Sequence, residues 1–222
     1  MTSSEKEKVT TIFWDVDTQR DFIEPNGKLY IKNAELIKPN LEKLTQYSRM
    51  AGIRVLGSVD WHVIGDEEIV ENPEEADYEK HYPPHCLKGD PGSEKIMETR
   101  SDTAIFVDYI PYNEERINEI VNSNAPIYFR KKEFDVFTNP NVLPILNKIN
   151  PKKIVVYGVA ADVCVKYAID GLAMRGNAEI YLVIDAIEGI NEIETKRLVH
   201  AWQVVGVIPI TTEQVLKGNW IK

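Results

Sequence analysis

The chain has 222 residues, of which 43% are hydrophobic, and it carries a formal net charge of −9 at pH 7. This length predicts one domain with a sizeable core over residues 9–222, behind a disordered tail at 1–8. The negative charge disfavours nucleic acid and anionic membranes as partners, and the sequence has no apolar run of membrane-spanning length. Because it has only two cysteines and no signal peptide, we expect a reduced, cytoplasmic protein.

The first part of the chain alternates strand and helix, and each strand leads into a carboxylate. Residues 11–16 have the apolar, β-branched content of a buried strand, which delivers Asp17 into the next loop. Residues 34–52 carry apolar side chains at helical spacing, and 53–59 form a second strand that leads into Asp60. In a parallel sheet both carboxylates would lie at the same edge.

The middle of the chain combines a long loop with shorter elements. Residues 63–80 are acidic and show little periodicity, which predicts a surface loop that covers the crevice as a lid. A short strand at 104–107 and a helix at 114–121 follow. Residues 126–130 are a clear strand that leads into Lys131.

The rest of the chain continues the alternation of helices and strands. The predicted elements are a helix at 139–149, a strand at 154–159, a helix at 162–176, a strand at 180–184, a helix at 192–205 and a strand at 207–210. This pattern predicts an α/β fold, a doubly wound three-layer sandwich in which helices cover both faces of a mostly parallel central sheet.

Cys164 lies where a strand turns directly into a helix, within IVVYGVAADVCVKYAIDGLAMRG at 154–176. In the first helical turn, unpaired backbone N–H groups and the helix dipole favour a thiolate and could hold an oxyanion. A small buried cysteine is the alternative interpretation. The position at the carboxyl end of a strand, where open α/β sheets place their ligand crevices, favours the functional one.

Parallel strands would gather three reactive side chains at one edge of the sheet, namely Asp17, Lys131 and Cys164. Asp17 could act as general base for the thiol and then as general acid for a leaving amine. Lys131 would lower the thiol pKa, whereas one of Lys131 and Lys132 is interpreted as merely solvated. Asp15 lies inside the first strand and is interpreted as structural, because its side chain points to the opposite face.

Asp60 and His62 are two residues apart on an extended segment, so their side chains leave it on the same side, as a pair of metal ligands would. His85 could complete a set of one carboxylate and two imidazoles, which zinc, iron and manganese all tolerate. Taken alone this pattern is weak, because surface histidines such as His81 are common. Cys86 is interpreted as structural.

Several ordered motifs at these positions resemble those of the isochorismatase-like cysteine hydrolases, and within them the nicotinamidase/pyrazinamidase group. The motifs are D-T-Q-R-D-F at 17–22, D-W-H at 60–62, P-P-H-C at 83–86, F-D-V-F at 134–137 after a lysine, and G-V-A-A-D-V-C-V at 158–165. Together they span most of the chain. The resemblance therefore implies the isochorismatase-like hydrolase fold and its chemistry for the whole domain.

The resemblance assigns roles to particular residues. It implies catalysis by Asp17, Lys131 and Cys164, a cis peptide bond between Val159 and Ala160, an oxyanion hole from the backbone N–H groups of Ala160 and Cys164, and a divalent metal, zinc before iron or manganese, on Asp60, His62 and His85. The partner is then a small-molecule amide. Family members commonly assemble, so a homo-oligomer is an expectation, although no stretch of the sequence identifies an interface.

The substrate pocket both matches and departs from the group's pattern. Phe22 matches the phenylalanine that packs on the substrate ring, but Tyr82 replaces a usual tryptophan and Val163 replaces an aromatic residue or histidine. An additional histidine, often seen shortly after D-W-H, is missing. The segments 63–80 and 95–124 look longer than usual. We therefore expect a reshaped pocket.

These observations favour hydrolysis of nicotinamide to nicotinic acid and ammonia through a cysteine thioester. A related hydrolase acting on another small amide or an N-carbamoyl compound is the first alternative. A catalytically silent binding protein is the second, although Asp17, Lys131 and Cys164 are all present. A vinyl ether hydrolase of the isochorismate type needs neither the cysteine nor the metal, so the presence of their residues argues against it.

Overall fold

The computed structural model describes residues 10–218 and Trp220, so the tail predicted at 1–8 lies outside the described residues. Its strands are β1 (Thr11–Val16), β2 (Arg54–Asp60), β3 (Ile105–Val107), β4 (Ile127–Lys131), β5 (Lys153–Val159), β6 (Glu179–Glu188) and β7 (Ile208–Ile210). They form one seven-stranded sheet in the order β3-β4-β2-β1-β5-β6-β7. Every neighbouring pair is parallel, which confirms the predicted α/β fold.

The helices lie on both faces of this sheet. They are α1 (Arg20–Ile23), α2 (Lys38–Ala51), α3 (Glu114–Asn122), α4 (Val142–Ile149), α5 (Cys164–Arg175), α6 (Glu192–Val204) and α7 (Thr212–Leu216), with short 3-10 turns at Ala34–Ile37, Pro73–Glu75, Pro91–Ser93 and Val136–Thr138. Helices α3 to α6 cover one face, and α2 and α7 cover the other. Within residues 10–218, no helix is both long and apolar enough to cross a membrane.

Strand β1 lies at the centre of the sheet and contributes to two hydrophobic cores. Ile12, Trp14 and Val16 face the helices α3 to α6, where the Trp14 ring stacks on Phe129. Phe13 faces α2 and α7. Because successive side chains of a strand point to opposite faces, and β1 is buried on both, nearly all of its residues are apolar.

The order of the strands reverses between β1 and β5, which makes this boundary the topological switch point of the sheet. From β1 the chain continues to β2 on one side, and β5 begins the other side. Ligands of open α/β sheets bind in the crevice at such a point, outside the carboxyl ends of the strands. Asp17 follows β1 and Cys164 follows β5, so both lie at this crevice.

Two glycines let the neighbouring strands approach the end of β1 closely. A Cβ atom on Gly57 of β2 would lie 1.9 Å from the Asp15 carbonyl oxygen, and one on Gly158 of β5 would lie 2.0 Å from that of Val16. Gly158 also has a φ of +121°, which disfavours any other residue. The last residues of β1 are thereby held between two backbones.

The structure moves several predicted boundaries. At their carboxyl ends, strands β2 and β4 each extend one residue further than predicted, because Asp60 of β2 pairs with Lys131 of β4. Strand β6 extends to Glu188. Helix α7 was not predicted, although Thr211 and Gln214 form a capping box at its start, which is a signal visible in the sequence.

Candidate active site

Lys131 is the centre of a buried charged cluster at the carboxyl edge of the sheet. Its Nζ lies 3.0 Å from Asp17 Oδ2 and 3.4 Å from Cys164 Sγ. It also donates a hydrogen bond to Asp60 Oδ1. The structure therefore brings together the three side chains for which a catalytic role was predicted, and it adds Asp60 to them.

The charges of this cluster shift its protonation equilibria. Burial opposes the charge of Lys131, but Asp17, Asp60 and Cys164 outweigh it and hold the pKa of Lys131 well above its usual value. Burial raises the pKa of Asp17, while the charge of Lys131 acts against this rise. A carboxylate with a raised pKa holds a proton more readily, which suits a group that accepts a proton and later returns it.

The pKa of the Cys164 thiol differs from the sequence prediction, which expected Lys131 and the helix N-terminus to favour the thiolate. Cys164 is the first residue of α5, in the first turn as predicted. Burial nevertheless raises the pKa of the thiol well above its usual value, and Asp17 raises it further, while Lys131 lowers it only in part. The predicted direction is therefore wrong, because it neglected desolvation and the nearby carboxylates. A raised pKa favours the thiol over the thiolate, so the proton has to leave as the sulfur reacts.

The turn between β5 and α5 offers two free backbone N–H groups. The Val159–Ala160 peptide bond is cis, as the family resemblance implies. Among residues 10–218, the N–H groups of Ala160 and Cys164 have no hydrogen-bond acceptor, and Val163, the N-cap of α5, contributes no capping side chain. Unpaired N–H groups at a helix N-terminus stabilise negative charge, so this pair can hold an oxyanion.

The three predicted metal ligands also converge, with ligand atoms within 4.8 Å of one another in Asp60, His62 and His85. Asp60 Oδ2 lies 3.9 Å from His62 Nε2 and 3.6 Å from His85 Nε2. The other oxygen of the same carboxylate accepts the hydrogen bond from Lys131. Asp60 therefore links the candidate metal site to the cluster around Cys164.

His62 provides a test of whether these residues fit a metal ion. Its ring is buried, and neither ring nitrogen has a hydrogen-bond partner in the described part of the chain. Burying unpaired ring nitrogens is unfavourable, whereas coordination of an ion would use the lone pair of one of them. His85 has Nδ1 2.9 Å from the Pro83 carbonyl oxygen, which leaves Nε2 available as a ligand. The residues present therefore fit a divalent metal such as zinc, iron or manganese.

Asp66 and Lys132 support His62 in a way that the sequence analysis missed. Asp66 Oδ2 lies 3.6 Å from His62 Nδ1 and accepts a hydrogen bond from the Val63 N–H. Its other oxygen accepts a hydrogen bond of 2.6 Å from Lys132. A carboxylate behind the second nitrogen of a ligating histidine orients the ring and increases its basicity. The sequence analysis interpreted one of Lys131 and Lys132 as merely solvated, but Lys132 binds the carboxylate behind a candidate ligand.

Replacing Asp66 with asparagine should weaken metal binding about 10- to 100-fold, because the amide provides no charge behind His62. The affinity would be measured by competition with a chromophoric chelator. Asp77→Asn is the matched control, since the Asp77 carboxylate also lies beside the Nδ1 atom of a histidine, His81, at 2.8 Å, but outside the candidate metal site. Equal affinities of the Asp66→Asn variant and the unmodified protein would contradict the assignment.

The crevice holds a cavity of about 300 Å³ next to Cys164. Its lining includes the residues predicted to contact substrate, Phe22, Tyr82 and Val163. The Phe22 and Tyr82 rings lie 5.5 and 6.1 Å from the His85 ring, between centroids, and Phe134 packs edge-on against Tyr82. Flat aromatic walls of this kind suit a small planar ring.

Glu68 is a pocket residue that the sequence analysis did not identify. Its carboxylate lies 3.8 Å from His85 Nε2, on the cavity wall. Burial and the charge of Asp60 raise the pKa of Glu68 to about 8. Glu68 follows D-W-H closely, in the region where the nicotinamidase/pyrazinamidase group often has an additional histidine. The absence of that histidine from this sequence could have directed attention to Glu68.

The acidic segment at 63–80 contributes to the wall of the pocket. Glu68 and Tyr78 line the cavity, and Ile69 forms an isolated β-bridge with Tyr82. His81 Nδ1 lies 2.8 Å from Asp77 Oδ2, and Cys86 is fully buried, with its backbone N–H donating to Asp21 Oδ2. Residues of the predicted lid therefore form part of the cavity wall, whereas His81 and Cys86 are not among the lining residues.

A family model described as an isochorismatase domain matches residues 107–214 of the chain. The search of curated proteins found no match to this chain. The chain is also similar to solved structures, of which three follow. A pyrazinamidase of Pyrococcus horikoshii in complex with zinc has 22% identity and a TM-score of 0.67, covering 91% of this chain and 99% of that chain.

A pyrazinamidase/nicotinamidase from Streptococcus mutans has 22% identity and a TM-score of 0.67, covering 90% of this chain and 99% of that chain. A protein from L. infantum in complex with nicotinate has 18% identity and a TM-score of 0.69, covering 93% of this chain and 95% of that chain. At these identities the likeness shows a shared fold over almost the whole length of both chains.

Proposed function

We propose that this chain is an isochorismatase-like hydrolase and that it hydrolyses nicotinamide to nicotinic acid and ammonia through a thioester on Cys164; the match of an isochorismatase domain to residues 107–214, the motifs and the shared fold support this. The observation that carries the proposal is the contact of Lys131 with Asp17, Asp60 and Cys164 at the base of an aromatic pocket. A silent binding protein has no need for a buried nucleophile, a base and a lysine in contact.

The first half of the reaction forms the thioester. Cys164 Sγ attacks the amide carbon while Asp17 accepts the thiol proton, and the oxyanion is held by the N–H groups of Ala160 and Cys164. Asp17 then returns the proton to the amide nitrogen, and ammonia leaves as the C–N bond breaks. Lys131 stays charged and keeps the Asp17 carboxylate oriented toward the sulfur.

The second half releases the acid. Asp17 accepts a proton from water as the water oxygen attacks the thioester carbon, and the C–S bond breaks. The proton returns to the sulfur, which restores the Cys164 thiol. A divalent ion on Asp60, His62 and His85 would supply a Lewis acid for the ring nitrogen of a heteroaromatic amide.

Two observations support nicotinamide as the substrate. The aromatic rings of Phe22, Tyr82 and Phe134 surround a volume suited to one small ring. One protein of the same fold, from L. infantum, was solved with nicotinate, which is the acid that this reaction would produce.

Glu68 supports a second candidate, an amidase acting on an N-carbamoyl compound or another small amide. Its carboxyl group lies on the pocket wall beside His85. A ureido group would offer this carboxyl more N–H donors than nicotinamide does.

The test is ammonia release by purified protein of known metal content, with nicotinamide, benzamide and an N-carbamoyl amino acid as substrates. Benzamide is the matched control, because it has the same ring without the nitrogen that a metal would bind. We expect turnover of nicotinamide that exceeds that of benzamide and that falls when the metal is removed by a chelator. Release from the N-carbamoyl compound alone would replace nicotinamide with the second candidate.

A further inference from the structure

A buried polar cluster lies on the face of β1 that does not carry the catalytic side chains. We call it the Asp15 cluster; it consists of Asp15, Thr18, Lys95, Thr99 and Tyr128, all of which are buried. Asp15 Oδ2 lies 3.0 Å from Lys95 Nζ and accepts a hydrogen bond of 3.2 Å from the Tyr128 hydroxyl. The proposed mechanism uses none of these residues.

The Asp15 cluster brackets Asp17 in the sequence. Thr18 Oγ1 donates to Asp15 Oδ1 at 2.8 Å and accepts from Lys95 Nζ at 2.7 Å. The Thr18 hydroxyl also lies 2.7 Å from that of Thr99. The side chains on either side of Asp17 are therefore fixed to one ammonium group.

Asp17 itself has an unusual backbone conformation, with a φ of +45°. A non-glycine residue adopts this left-handed conformation only where its surroundings over-determine it. The following backbone is tied to the segment around Lys95, because Ile96 N–H donates to the Thr18 carbonyl oxygen at 3.0 Å and Gln19 forms a β-bridge with Lys95. The backbone around Lys95 thus holds the chain after Asp17, and the Lys95 ammonium group holds the side chains of Asp15 and Thr18.

A lysine that is only 6% exposed is not explained by stability alone. Desolvating two charges costs about as much as their attraction returns, so apolar residues of similar size would often serve equally well. An ion pair with hydrogen bonds does, however, fix the relative positions of its side chains more narrowly than apolar packing does.

We propose that Asp15 and Lys95 are positioning residues that hold Asp17 in the left-handed conformation in which its carboxylate meets Cys164 and Lys131. The inference rests on the proposed function in that Asp17 is the base. It predicts that breaking the pair slows the chemical step while leaving substrate binding to the pocket walls unchanged.

The test compares Lys95→Met, Thr99→Val and the double variant Asp15→Asn/Lys95→Met. Thr99→Val removes one hydroxyl from the cluster without leaving a buried charge, so it remains informative if Lys95→Met does not fold. Arg54→Met is the control, because the Arg54 guanidinium also joins a strand to a neighbouring segment, through Ala125 and Val121, but at the opposite end of β2.

Three quantities would be measured for each folded variant: kcat and KM for nicotinamide, the rate at which iodoacetamide alkylates Cys164, followed on its own peptide by mass spectrometry, and stability to urea. For Lys95→Met we expect kcat to fall by up to about 100-fold, as misplacement of a catalytic group by about 1 Å can cause, with KM changed less than about 3-fold. Thr99→Val should lose several-fold in kcat, and the double variant should recover part of the loss because no unpaired carboxylate remains.

The alkylation rate separates this inference from the proposed function. If nicotinamide is not hydrolysed but Lys95→Met slows alkylation of Cys164, the positioning role stands and the substrate is wrong. The inference is overturned if folded Lys95→Met and Thr99→Val keep the unmodified kcat and alkylation rate. It is equally overturned if Arg54→Met loses kcat in the same proportion to its loss of stability.

Discussion

Replacing Cys164 with alanine should lower the turnover of nicotinamide by about 10⁴-fold or more, because no other group in the pocket can form the thioester. The fold should survive, since the side chain is small and Lys131 keeps its contacts with Asp17 and Asp60. The loss of packing would cost on the order of 1 kcal/mol. Ammonia release and urea unfolding measure the two effects, and the metal content should remain as in the unmodified protein.

Cys86→Ala is the matched control for this variant. Cys86 is also buried, and it follows a candidate metal ligand, but its backbone N–H donates to Asp21 Oδ2, whereas that of Cys164 has no acceptor in the described part of the chain. We expect this variant to keep most of its turnover. Retained turnover in Cys164→Ala would exclude the thioester mechanism, even if the substrate is correct.

Replacing Lys131 with methionine should destabilise the protein by about 3–5 kcal/mol and remove most of its activity. Its side chain is only 1% exposed, and its loss would leave the Asp17 carboxylate buried without its ion-pair partner. Without Lys131 the pKa of Asp17 would rise further, since the lysine is the main influence that lowers it. The midpoint of urea unfolding and kcat measure the two losses.

The adjacent lysine is the natural comparison for Lys131. Lys132 has a side chain that is 42% exposed and pairs with Asp66, so Lys132→Met should cost less than about 1 kcal/mol. Similar unfolding midpoints for the two variants would show that Lys131 is not the centre of a buried charge cluster.

The strand ends were the most predictable part of the site. Apolar runs identified β1, β2, β4 and β5, and parallel strands necessarily bring their carboxyl ends to one edge. The reactive residues Asp17, Asp60, Lys131 and Cys164 follow from that rule together with the motifs, and the structure brings all of them together.

The supporting residues were less predictable, because each depends on a contact across a long stretch of chain. Lys95 contacts Asp15, but it lies in a segment whose sequence has no clear periodicity. Glu68 and Asp66 lie in the predicted lid, whose acidic sequence does not indicate which carboxylates face the site. The pKa of Cys164 could not be predicted either, since its direction depends on how deeply the thiol is buried and on how many carboxylates surround it.

The lid at 63–80 has a further consequence, because it lies in the chain between two candidate metal ligands, His62 and His85. An ion bound to both would act as a cross-link that closes the intervening loop, as a disulfide over the same span would. Closing a loop of this size lowers the conformational entropy of the unfolded chain. This stabilises the folded state by on the order of 3 kcal/mol. Loss of the ion would then also loosen the segment at 63–80, so that metal binding and an ordered pocket wall would be lost together.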